Sequence, residues 1–194
     1  MEPPHKPQQE LNEATVHVIG MENADSLDAF EKHWRGFLHH LERVWNKSQA
    51  HFKNHPAWNG WKGQYDRTRR QDPLLSYLIN ARGADEHTVA EITYRVPGNT
   101  TISNNSGRPI TITKGDFTGR GTARYEADGE LDIKFNPGRT KLLPVYNRGV
   151  EYRPPTSHKD ESIDPNDVID VARKGVEFYD EMLRLTTARF CITT

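Results

Sequence analysis

Cysteine is nearly missing from this chain of 194 residues: Cys191 stands alone, which excludes an internal disulfide framework and any multi-cysteine zinc site. The chain has no run of 18 apolar residues and no leader-like N-terminal pattern, so a cytoplasmic protein without a membrane segment is expected. Charge of one sign is lacking as well. With a formal net charge of -1, nothing global steers the chain to nucleic acid or acidic membranes, and any RNA contact must be local. Hydrophobic residues make up only 34% and the mean hydropathy is -0.86, while 12 prolines and 14 glycines supply turns; a modest core with long loops follows.

What the chain does have is helical periodicity in three places. Asp25 or Ser26 can cap a helix in which Leu27, Phe30, Trp34, Phe37, Leu38, Leu41, Val44 and Trp45 keep helical spacing. Asp72 before Pro73 starts a second, with Leu74, Leu75, Leu78 and Ala81 on one stripe. Asp164 before Pro165 opens a third, whose inner stripe runs through Val168, Val171, Ala172, Gly175, Tyr179, Met182, Leu183 and Thr186. A glycine inside a helix costs up to ~1 kcal/mol relative to alanine, so Gly175 implies a close helical neighbour.

Between the second and third helices the period changes to two. Ile92, Tyr94 and Val96 alternate, as do Ile110 with Ile112 and Leu131, Ile133 with Phe135, and Asp128-Gly129 has the composition of a two-residue hairpin turn. The predicted fold class is α+β: a bundle of three or more helices, at 24–53, 72–91 and 164–190, interrupted by a small antiparallel β region at about 93–158. Residues 1–12, rich in proline, are expected as a flexible tail, and 13–194 as a single domain with its bundle at 24–92 and 164–190. Alternation of Val16 and Val18 suggests a short strand from Thr15 to Gly20.

Chemistry concentrates in the second half of the helix at 72–91, where Arg82, Asp85, Glu86 and His87 fall within six residues. Arg82 and Glu86, four apart, could form an ordinary surface ion pair contributing ~0.2–0.5 kcal/mol. Alternatively, the always-charged Arg82 can hold a phosphate and His87 can move a proton, the minimum for metal-free cleavage of RNA through attack by the 2′-hydroxyl. The segment Arg82-Gly83-Ala84-Asp85-Glu86-His87 resembles the signature of the HEPN domain (higher eukaryote and prokaryote nucleotide-binding), an Arg followed by a His after four to six residues. HEPN domains are up-and-down helical bundles found in many toxin and defence ribonucleases. The resemblance implies a homodimer in which two signatures meet, with Arg82 on the scissile phosphate, His87 in proton transfer and Glu86 or Asp85 orienting. The family usually carries Asn, Asp or His directly after the Arg; this chain carries Gly83.

Just before that helix, residues 54 to 71 read as a connector that interleaves Trp58, Trp61 and Tyr65 with Lys62, Arg67, Arg69 and Arg70. Aromatic faces can stack on unpaired bases while cations hold the backbone, so Lys62, Arg67, Arg69, Arg70, Trp61 and Tyr65 are the candidate RNA-binding residues; plugging of the bundle end by the aromatics is the competing view. No metal and no cofactor is expected, because His33, His39 and His40 lack the four-residue step that helical zinc sites favour. Three functions remain open: a metal-independent HEPN-like ribonuclease, a non-catalytic HEPN-like protein that binds RNA or a protein partner, and an accessory protein of unrelated function.

Overall fold

The computed structural model describes residues 2–87, 91–104, 107–116 and 124–191, with only the main chain described for His87. The fold is α+β, a helical bundle interrupted by an antiparallel β region, and it divides into two compact units, residues 1–94 with 140–194, and residues 95–139. Five helices build the first unit: α1 (His5–Glu22), α2 (Leu27–Phe52), α3 (Trp58–Gln71), α4 (Pro73–His87) and α5 (Val168–Phe190).

The long α2 begins where expected. Ser26 caps it, its hydroxyl accepting from Ala29 N at 3.2 Å, and the stripe from Trp34 to Phe52 is buried. α1 is a correction, because residues 5–12 of the expected tail supply its first turns and Thr15–Gly20 continues it as helix rather than strand. Pro7 sits in the first turn, where a missing N–H costs nothing. Leu11, Ala14, Val18 and Met21, spaced three, four and three, are all buried against α2, whereas Val16 and Ile19 remain more than half exposed. The alternation of two valines is incidental to that stripe.

Residues 54–71 are likewise mostly helix and not a connector. Trp58, Trp61, Tyr65 and Arg69, at steps of three, four and four, form the inward stripe of α3, and the glycines that obscure the pattern, Gly60 and Gly63, lie in open space. At the other end of the chain, Asp164 folds a turn by accepting from Asn166 N at 2.8 Å; Asp167 is the cap of α5, accepting from Asp170 N at 2.9 Å. The expected inner stripe of α5 is buried throughout, and a Cβ on Gly175 would stand 2.8 Å from Leu78 Cδ1 and 3.3 Å from Leu41 Cδ2, the close approach its position implied.

The β region, expected at about 93–158, falls into two parts. The second compact unit holds β2 (Asn99–Ser103), β3 (Ile112–Asp116), β4 (Arg124–Ala127) and β5 (Asp132–Asn136), entered through β1 (Thr93–Val96) and left through β6 (Arg139–Leu142). Pairing is nested: β1 with β6, β2 with β5, β3 with β4, so the chain runs out and back as a ribbon of paired strands. No hairpin forms across Asp128-Gly129. Asp128 instead closes the β3–β4 pair, its N–H donating to Thr111 O and its carboxylate accepting from Thr111 N at 2.7 Å. Four shorter strands, β7 (Val145–Asn147), β8 (Val150–Tyr152), β9 (Ser157–His158) and β10 (Glu161–Ser162), form two hairpins that belong with the helices.

The helical assignment of α1 has a direct consequence. Leu11→Ala should cost about 2–5 kcal/mol in urea unfolding, as core truncations do, while Val16→Ala should stay within about 0.5 kcal/mol.

Candidate functional site

Helix α4 is anchored at its start by a buried carboxylate. Asp72 accepts from Leu75 N at 3.0 Å, from Lys159 N at 2.8 Å and from His158 Nδ1 at 3.0 Å, which ties the β9–β10 hairpin to the first turn. Burial alone would raise this carboxyl, but the His158 contact and the two backbone N–H groups outweigh it and hold Asp72 below the ordinary 3.8. Leu74, Leu75, Tyr77, Leu78, Ala81 and Ala84 then fill the core, and Tyr77 OH donates to Leu143 O at 2.8 Å.

The polar edge of α4 emerges in its last turns. Arg82 and Glu86 pair at 2.7 Å across one helical turn, with side chains 27% and 32% exposed, so the guanidinium is already engaged. Its Nε is buried without a hydrogen-bond partner among the described residues. Two α2 residues that sequence reasoning missed complete the cluster: Arg35 meets Asp85 at 3.1 Å and His39 Nδ1 lies 3.6 Å from Glu86. They stand four apart on the polar flank of α2, a spacing that marks one face but does not by itself name α4 as the partner. Burial raises the Asp85 carboxyl above its ordinary value despite the opposing Arg35 charge.

Gly83 has a packing reason. A Cβ there would stand 2.7 Å from Nδ2 of Asn147 on β7, and that amide donates to the Asn80 side-chain Oδ1 at 2.9 Å, so the bare surface of α4 at Gly83 makes room for a side-chain amide that links β7 to the helix. His87 is the last residue of α4; its side chain lies outside the described residues.

The candidate RNA-binding residues separate into two groups. Arg69 is buried, Nε donating to Tyr179 OH at 2.8 Å, its outer nitrogen on Glu42 at 2.6 Å and its guanidinium 4.4 Å from the centre of the Trp45 ring. Trp61 donates to Thr186 Oγ1 at 3.1 Å and lies under Arg189, and Tyr65 is packed against Phe178. These aromatics plug the bundle, as the competing view had it. Lys62 is half-buried on Gln49, whereas Arg67 and Arg70 are exposed. Arg70 borders a shallow cavity of about 240 Å³ that it shares with Tyr77, Glu151 and Arg153 among others.

Among the described residues no group of three or more potential ligands is placed to hold a metal, and no helix is long and apolar enough to cross a membrane. Compared with family models, with curated proteins and with solved structures, the chain matches none of them.

Two measurements check this geometry. Gly83→Ala should cost about 1–3 kcal/mol, as overpacking does, and much less in an Asn147→Ala background, because the clash then has no partner; a double-mutant cycle in urea reads the coupling. Asp72 has a native pKa below its unfolded one, so its contribution is present at neutral pH and lost as pH falls through about 3.8 toward the native value. Asp72→Asn should therefore lower stability at pH 7 and flatten its decline between pH 5 and 3.

Proposed function

We propose that the protein is a HEPN-like RNA-associated protein that holds RNA through backbone phosphates without cleaving it. The observation that carries this reading is the division of the basic run: Arg67 and Arg70 face solvent while Trp58 and Tyr65 are buried and Trp61, partly buried, is held on the core by Thr186, which leaves contact with phosphate and removes base stacking. Arg153 lines the same cavity as Arg70 but is paired there with Glu151 at 2.8 Å, so the exposed charge rests with Arg67 and Arg70. Engagement of Arg82 by Glu86 and of Asp85 by Arg35 favours binding over catalysis, since the guanidinium that would hold a scissile phosphate and a carboxylate that would orient the reaction already have ionic partners within the chain.

A second reading, a metal-independent ribonuclease acting as a homodimer through Arg82 and His87, is favoured by the buried Arg82 Nε that has no acceptor among the described residues.

Fluorescence anisotropy with single-stranded RNA in EDTA distinguishes them. Binding without cleavage is expected, and Arg67→Ala with Arg70→Ala should weaken it on every sequence and reduce the slope of log K against log salt by roughly 0.7 per charge. Cleavage that survives EDTA, leaves a cyclic phosphate and disappears in both Arg82→Ala and His87→Ala would establish the ribonuclease instead. Absence of binding at low salt would rule out both.

A further inference from the structure

Four imidazoles form a continuous row between α1 and α2. His33 of α2 meets His17 of α1 with the two Nδ1 atoms 3.1 Å apart. His17 stacks on His40 of α2, centroids 5.4 Å apart at 27°, and His40 meets His39 edge-on at 5.3 Å. Two glycines make room for the first pair: a Cβ on Gly36 would stand 2.3 Å from His17 Cε1, and one on Gly20 would stand 2.4 Å from His33 Cε1. Each ring thus lies against bare backbone of the opposite helix, with no space behind it. Two Nδ1 atoms at this separation can hold one proton between them, one nitrogen donating and the other accepting. When both rings are charged each Nδ1 carries its own proton, and two imidazolium ions face each other with no acceptor between them.

We propose that the His17–His33 contact is a proton-operated latch: α1 stays docked on α2 while the pair shares a single proton, and loosens when both rings are charged. The groups around His17 agree on the direction. Burial opposes its charge most strongly, His40 and His33 oppose it next, Glu13 on its own helix favours it and His39 opposes it, and together they lower it from the ordinary 6.5. Glu10 offers little relief. Although burial would raise its carboxyl, Lys47, His40 and Arg43 outweigh this and bring it to about 2, so it stays ionised with its charge already answered by those three partners. From α5, the other helix packed on α1, comes Arg173, which is paired with Glu22 at 2.6 Å. Because His17 is harder to protonate in the folded chain than in the unfolded one, its contribution to docking is complete above about pH 6.5 and is lost as pH falls through that value. The His17–His33 contact uses no residue of the RNA reading; only His39, at the far end of the row, also meets Glu86 of α4.

Hydrogen exchange of the full chain, read by mass spectrometry at pH 7.5 and 5.5 in EDTA and corrected for intrinsic rates, tests it. Protection of peptides from residues 5–22 should fall severalfold, while those from 168–190 hold theirs. His17→Gln, which keeps a hydrogen-bonding group for His33 without a charge, should abolish the difference. An equal loss in both helices, or an undiminished loss in the variant, overturns the latch. Should His17→Gln be unfolded at pH 7.5 by circular dichroism, His33→Gln and an NMR titration of the wild-type His17 ring decide: a midpoint below 6.5 that α1 exchange follows supports the latch, and a midpoint at or above 6.5 overturns it.

Discussion

Arg69 carries a full charge into the middle of the bundle, and the helices around it are positioned to answer that charge. Glu42 and Trp45 come from α2, Tyr179 from α5, and the guanidinium from α3, so three helices converge on one planar group. A buried cation is tolerated only when its hydrogen-bonding capacity is met, and breaking such a pair by removing one partner typically costs ~3–5 kcal/mol. Burial works against the charge on Arg69, yet the Tyr179 and Glu42 contacts outweigh it and hold the guanidinium's pKa above its ordinary value. The arrangement specifies how α3 lies against α2 and α5, since a planar fork meets its acceptors in few orientations.

The same residue explains where sequence reasoning stops. Arg67, Arg69 and Arg70 look alike as a charge run, but only Arg69 continues the 58, 61, 65 series at helical steps, and it alone is taken into the core. That signal was present in the spacing and hidden by Gly60, Gly63 and Pro56, which favour a connector by composition. α1 was hidden in a similar way: prolines near its start resemble a tail, although Leu11, Ala14, Val18 and Met21 mark the stripe. By contrast α2, α4 and α5 were legible because their amphipathic stripes are long, with the expected caps at Ser26 and Asp72 though not at Asp164, and even the close helical neighbour of Gly175 could be anticipated.

The site itself was half legible. Adjacent Arg82, Asp85 and Glu86 announce a polar edge, and the Arg82–Glu86 pair follows from four-residue spacing alone. What no spacing could disclose is that Arg35, His39 and Asn147 arrive from elsewhere in the chain, because tertiary partners are chosen by packing. The row of histidines was obscured for the same reason: its four members are divided between two helices, one of which was read as a strand.

The nested strands of the second unit differ in kind from the bundle. Their side chains are mostly exposed, and pairing passes inward from β1–β6 to β2–β5 to β3–β4 with little apolar surface to bury. Two-stranded ribbons of this sort are held chiefly by their own ladder and turns. Because β1 and β6 lie side by side, the outgoing and returning chains are already within a strand spacing of each other at the root. Shortening or lengthening the segment between those two strands therefore leaves the separation of the outgoing and returning chains unchanged.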